Sequence, residues 1–175
     1  MRRLYLFRHA KAESAEPGIQ DRDRALVERG RKEAATVGAY MATHSLIPGK
    51  TVLSPAVRVQ QTWKHMAAAM RAAPGTVTQE QIYDAAPDDI LAVIMDTPAA
   101  VNSLMIVGHN PTLHELALML IATGDIDARE RLRERLPTAG LIVIDFAFDD
   151  WSRLHPQSGR LERFVTPKWL EAAAN

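Results

Sequence analysis

Short apolar runs alternate along the chain with stretches in which apolar residues recur every three or four positions. Leu4-Tyr5-Leu6-Phe7, Val52-Leu53, Leu104-Met105-Ile106-Val107 and Leu141-Ile142-Val143-Ile144 are continuous runs. Runs this short, lying between helical patterns, read as strands buried on both faces of a largely parallel sheet. Between them, Ala34, Val37, Gly38 and Met41 share one helical face, as do Trp63, Met66, Ala67 and Met70, and Leu113, Leu116, Ala117 and Leu120. A further helix is expected over 88–95, capped near Pro87-Asp88, and a last strand from Leu161 to Val165. The β-α-β-α alternation predicts an α/β class with helices on both faces of one sheet and ligands at the carboxyl ends of the strands. Arg and Glu alternate from Ala128 to Arg135, as on a solvated helix, and the Ala-rich tail from Glu171 to Asn175 is expected to fray. No linker, repeat or low-complexity segment interrupts residues 1–175, which read as a single domain.

Composition removes several classes of chemistry. The chain has no cysteine, which excludes disulfides, thiolate metal ligands and a cysteine nucleophile. Lys+Arg and Asp+Glu both total 21, so there is no surplus of positive charge to announce a nucleic-acid or anionic-membrane partner. Met1 to Phe7 runs directly into the first strand without a signal-peptide pattern, and no later apolar run could span a bilayer. These features describe a cytoplasmic globular domain.

Chemistry gathers at the predicted strand ends. The first ends in Arg8-His9-Ala10-Lys11. The second ends in Ser54-Pro55-Ala56, with Arg58 opening the next helix, where backbone amides favour an anion. A later strand ends in Gly108-His109-Asn110-Pro111, again just before a helix. Three strand ends thus deliver two arginines and two histidines to one crest.

The ordered set Leu6-Phe7-Arg8-His9-Ala10, Asp23-Arg24 with Glu28-Arg29-Gly30, Ser54-Pro55-Ala56-Val57-Arg58 with Gln61-Thr62, Gly108-His109-Asn110-Pro111 and Phe164-Val165-Thr166-Pro167 resembles the histidine phosphatase (phosphoglycerate mutase-like) superfamily. Within it, the resemblance is to the SixA type of phosphohistidine phosphatase, and it covers almost the whole chain. It implies a three-layer α/β/α sandwich with a six-stranded, mostly parallel mixed sheet, and catalysis with no metal or organic cofactor. It also implies that His9 is the nucleophile and that Arg8, Arg58 and His109 bind the phosphoryl group, with Arg24 a further candidate and Asp84, after Tyr83, the candidate general acid.

These roles make chemical sense. Attack on phosphorus needs a neutral imidazole nitrogen, whereas fixed cations stabilise the charge on the transferring group. Arginine donates two parallel hydrogen bonds to phosphate while staying charged. His109 as a donor is expected to be protonated while His9 is not, a pairing that predicts a bell-shaped pH dependence.

The chain has Ala10 where many superfamily members carry glycine, and its short connections leave no room for the insertions of a mutase. The substrate is expected to be phosphohistidine on a protein domain, with a small phosphomonoester or a non-catalytic phospho-ligand module as alternatives. A metal site at His109 and His114 is disfavoured by their spacing, and His44, His65, His114 and His155 read as structural or surface residues. Gly49-Lys50-Thr51 resembles the end of a P-loop but precedes a strand instead of a helix. Trp63, Trp151 and Trp169 read as packing residues.

Overall fold

In the computed structural model, which describes residues 1–72 and 74–175, each apolar run becomes a strand of one seven-stranded sheet. The strands are β1 (Arg2–Arg8), β2 (Lys50–Leu53), β3 (Gly75–Thr78), β4 (Ser103–Gly108), β5 (Ile121–Gly124), β6 (Leu141–Phe146) and β7 (Gly159–Val165). The helices are α1 (Glu28–Thr43), α2 (Val57–Met70), α3 (Pro87–Met95), α4 (Thr112–Leu120), α5 (Ile126–Glu134) and α6 (Pro167–Ala173). The sheet order is β3-β2-β4-β1-β6-β7-β5.

Side chains alternate along β1 between two cores. Leu4 and Leu6 join α3, α4 and α5 on one face, through Ile90, Ile94, Leu113, Leu116 and Leu132. Tyr5 and Phe7 join α1 and α2 on the other, through Ala34, Val37, Met41, Trp63 and Met66. A strand with both faces covered needs apolar residues throughout, which is why these segments show no polar alternation. The α/β/α layering expected from the sequence is thus present. Among the described residues, no helix is long and apolar enough to cross a membrane.

The strand count differs from expectation, seven instead of six. The added strand is β5, four residues directly following α4, which pairs parallel to the β7 edge with a register shift between Ile121 and Thr123. Its sequence, Ile-Ala-Thr-Gly, has no apolar run to mark it, and Gly124 adopts a φ of +139° where an added Cβ would lie 2.7 Å from the Leu161 carbonyl oxygen. The carboxyl-terminal segment also differs, since α6 continues to Ala173. Its start is secured by Thr166, whose hydroxyl accepts from the Trp169 amide at 3.1 Å. The expected helix over 88–95 is α3, and the strand expected from Leu161 is β7.

The sheet directions position the site. β1, β2 and β4 are mutually parallel, so Arg8, Leu53 and Gly108 end at the same edge. β6 runs antiparallel to β1, so the segment before it returns to that edge. There the Arg8 amide donates to the Gly140 carbonyl at 3.2 Å, and the Ala139 amide donates to the Arg8 and His9 carbonyls. Gly30 lets α1 close against the chain leaving β1, because a Cβ at that position would sit 2.1 Å from the Lys11 carbonyl oxygen.

Candidate active site

Arg8, His9, Arg24, Arg58, Asp84 and His109 all line one cavity of about 740 Å³ at the carboxyl ends of β1, β2 and β4. The six residues singled out in the sequence therefore meet, and the rest of the wall includes Lys11, Asp21, Tyr83, Asn110, Glu115 and Thr138.

His9 is buried, 9% exposed, directly after β1. Its Nδ1 lies 2.8 Å from the carbonyl oxygen of Ala10, an acceptor only, so Nδ1 carries the proton and Nε2 keeps its lone pair. Burial pushes its pKa down to about 3, and His109, Arg58 and Arg8 act in the same direction against the partial support of the Ala10 carbonyl. Neighbouring backbone is fixed as well. The Ala10 amide donates to Thr62 Oγ1 at 3.0 Å, and that hydroxyl donates to the Arg58 carbonyl at 2.6 Å, tying the segment after His9 to the first turns of α2.

Arg58 comes from α2, with its side chain only 6% exposed. Its Nη1 donates to the Asp21 carbonyl oxygen at 2.8 Å and its Nη2 to Asp21 Oδ2 at 3.0 Å. Nη2 also lies 3.3 Å from His109 Nδ1. Because a guanidinium can only donate, Nδ1 of His109 accepts there, and the imidazole proton sits on Nε2, 2.7 Å from Ser54 Oγ.

The expectation of a protonated His109 needs correction for the protein alone. Burial, then the positive charge of Arg58, pushes its pKa down to about 4, while the Asp21 carboxylate opposes this. At neutral pH both imidazoles are therefore uncharged, and the cationic donors are the arginines.

Arg8 Nη1 donates to the Leu136 carbonyl at 3.0 Å, an acceptor it shares with Asn110 Nδ2 at 2.8 Å. The Nε groups of both Arg8 and Arg58 are buried without a protein acceptor. A buried charged donor without a partner is costly, and both arginines line the cavity, which suits it to an anionic ligand. Among the described residues, no three His, Asp or Glu side chains are gathered as a metal ion would require.

Arg24 and Asp84 reach the cavity by different routes. Arg24 is anchored by Asp21 Oδ1, which accepts from its Nη2 at 2.8 Å and its Nε at 3.1 Å, and by the Glu13 carbonyl, which accepts from Nη1 at 2.6 Å. Asp84 is exposed on the wall, held by a backbone φ of 52° after Tyr83. His114, read as structural, hydrogen-bonds through Nε2 to the Leu132 carbonyl at 2.5 Å.

Asp21, which no sequence motif marks, contacts three cavity residues, Arg24, Arg58 and Tyr83. Its Oδ2 also accepts from the Tyr83 hydroxyl at 2.5 Å. Hydrogen bonds from Tyr83, Arg24 and Arg58 hold its carboxyl well below the usual carboxylate range. Ser54 and Asn110 were visible as parts of motifs, but their partners follow only from the folded chain.

Comparison with known proteins gives this geometry a context. Residues 4–82 match the family model of the histidine phosphatase superfamily (branch 1). An uncharacterized protein of Mycobacterium tuberculosis is 35% identical over 164 residues, which are 92% of this chain and 99% of that protein. A crystal structure assigned as the phosphohistidine phosphatase SixA of Agrobacterium tumefaciens superposes with a TM-score of 0.80 at 32% identity, covering 95% of this chain and 98% of that one. A structure with the same assignment from Nakamurella multipartitia gives a TM-score of 0.81 at 26% identity, over 95% and 96% of the two chains. Kinship that extends over nearly the full length, and includes the segment carrying His9 and Arg58, places this chain in the histidine phosphatase superfamily as a phosphatase of the SixA type.

Proposed function

We propose that the chain hydrolyses phosphohistidine on a protein, through a transient phosphohistidine on His9 and without a metal ion. The observation that carries this reading is the single geometry of His9, with Nδ1–H donating to the Ala10 carbonyl and an unprotonated Nε2 at a cavity lined by Arg8, Arg24 and Arg58.

In the first step Nε2 of His9 forms a bond to phosphorus as the phosphorus–nitrogen bond of the substrate breaks. The bonding pair leaves with the substrate imidazole, which departs neutral when its far nitrogen already carries a proton. In the second step a water oxygen attacks the phosphorus, the bond to Nε2 breaks with its electron pair returning to Nε2, and a proton of the attacking water passes to solvent as inorganic phosphate leaves and neutral His9 is restored. Throughout, Arg8, Arg58 and Arg24 neutralise the oxygens of the transferring group, and these permanent charges do the work a metal ion would otherwise do. A phosphoryl dianion beside His109 favours its imidazolium, so this residue becomes a fourth donor as substrate binds.

A protein substrate suits the rim, where Lys11, Asp84, Ala86 and Glu115 are all exposed. A small phosphomonoester is the second reading, favoured by Asp84, whose carboxyl could protonate an alkoxide leaving group. Rates on a phosphohistidine-bearing domain and on a small phosphoester, measured with wild type and His9→Ala, decide between them. The proposal expects faster turnover of phosphohistidine and none by the variant. Preference for the ester would favour the second reading.

A further inference from the structure

We propose that Asp21 is a positioning residue of the phosphate pocket, whose backbone carbonyl and carboxylate grip the outer edge of Arg58 and whose carboxylate grips one edge of Arg24, so that their remaining donors face the phosphoryl group. The proposal rests on the reading of this cavity as the phosphoryl site.

Asp21 opens a single 3-10 turn, Asp21–Asp23, in the segment that leaves β1 and returns to α1. The two ends of that segment are pinned together, since the Glu13 amide donates to the Ala25 carbonyl and the Val27 amide to the Lys11 carbonyl. Between these pins, one residue accepts five hydrogen bonds from side chains in three parts of the chain: two from Arg58 on α2, two from Arg24, and one from Tyr83 beyond β3. Among the described residues, Asp21 is the sole carboxylate paired with Arg58.

Guanidinium geometry shows what this grip leaves free. Nη1 and Nη2 of Arg58 present one edge, and Asp21 takes it with its carbonyl and Oδ2. The other edge consists of Nε and the second proton of Nη2. Its Nη2 proton points to His109 Nδ1, and Nε has no protein acceptor. Asp21 therefore does not compete with an anion for Arg58 but fixes the opposite side of the fork. Arg24 spends Nε and one Nη2 proton on Oδ1 and gives an Nη1 proton to the Glu13 carbonyl, which leaves one proton on each of Nη1 and Nη2 without a protein acceptor. Tyr83 donates its hydroxyl proton to Oδ2, so the carboxylate is held by neighbours on both oxygens and cannot swing into the pocket without breaking these contacts.

Two rival roles make different forecasts. An occluding carboxylate would repel the phosphoryl group, and its removal would strengthen phosphate binding. A loop staple acting apart from Arg58 would cost the same whether or not Arg58 is present.

The test is a double-mutant cycle with Asp21→Ala and Arg58→Ala, read as kcat/KM on an activated aryl phosphate and as inhibition by inorganic phosphate. Asp21→Ala is expected to lower kcat/KM by about thirtyfold and weaken phosphate inhibition in the wild-type background, because arginine positioning is lost. In the Arg58→Ala background the same change is expected to cost only about threefold, the share that runs through Arg24, because residues acting through one another are non-additive. Asp21→Asn, which keeps one carbonyl acceptor and loses the charge, is expected to fall between wild type and Asp21→Ala and guards against a poorly folded alanine variant. Equal losses in both backgrounds, tighter phosphate binding on removal of Asp21, or wild-type kcat/KM for Asp21→Asn would each overturn the proposal. Full activity of Arg58→Ala by itself would instead refute the reading of the site.

Discussion

Two imidazoles buried without charge make the stability of this fold depend on pH. In the folded protein His9 titrates at about 3 and His109 at about 4, against about 6.5 in an unfolded chain. As pH falls below about 6.5, the unfolded chain takes up protons at these positions that the native chain does not. Stability is therefore complete at neutral pH, declines as pH drops through the unfolded value, and levels off only below the folded values. Linkage gives a loss of about 2 kcal/mol per histidine between about pH 7 and about pH 5, hence about 4 kcal/mol for the pair. For a chain of this size that loss lowers the melting temperature by about 10 °C. Asp21 acts in a separate window: its depressed carboxyl contributes stability above the ordinary carboxylate pKa and loses it only at lower pH. The perturbation is His9→Asn with His109→Asn, which replaces both rings with uncharged amides that do not titrate. Urea unfolding followed by circular dichroism at the two pH values should show the double variant losing about 4 kcal/mol less than wild type, and each single variant about half of that. Inorganic phosphate at saturation should shrink the wild-type loss, because a bound anion favours the imidazolium form of His109. Identical pH dependence in wild type and double variant would refute the neutral, buried state assigned to these rings.

Other consequences can be measured on the same preparations. Arg8→Ala or Arg58→Ala should lower kcat/KM by about a hundredfold, as expected for losing one preorganised donor, and a change below about threefold would place the side chain outside the reaction. Asp84→Asn should depress hydrolysis of an unactivated phosphoester by about a hundredfold while sparing phosphohistidine, whose leaving group needs no proton from the enzyme. Equal losses on both substrates would assign Asp84 to positioning or folding. Chelator treatment should leave the rate unchanged, and vanadate should inhibit; recovery of activity on adding zinc or magnesium would contradict catalysis by the arginines alone. Gly38→Ala places a Cβ 2.4 Å from the Met66 carbonyl oxygen, where α1 crosses α2, and should cost about 1–3 kcal/mol in urea unfolding.

Much of the site could be read in the sequence because its chemistry stands at strand ends. In a parallel sheet the residues after consecutive strands converge, so Arg8-His9, Arg58 and His109 could be placed together without knowing a single contact. Sheet direction was less accessible: Leu141–Ile144 is apolar whichever way the strand runs, and only pairing with β1 shows β6 to be antiparallel. β5 escaped notice because four residues at an edge, ending in glycine, carry no pattern of their own. Asp21 was hidden for a different reason. Its partners Arg58 and Tyr83 are remote in sequence, and a carboxylate in a polar loop looks solvated until the loop is folded over α2. The protonation of His109 depended on burial and on the distance to Arg58, neither of which a motif encodes.

The central claim is that His9 carries the phosphoryl group. Brief mixing of the enzyme with radiolabelled phosphohistidine substrate, rapid denaturation and peptide mapping test it directly. Label on the peptide containing His9, lost in acid and retained in alkali, with none in His9→Ala, is the predicted result. Turnover by wild type with no label on the enzyme, or label that survives acid or resides on another residue, would contradict it.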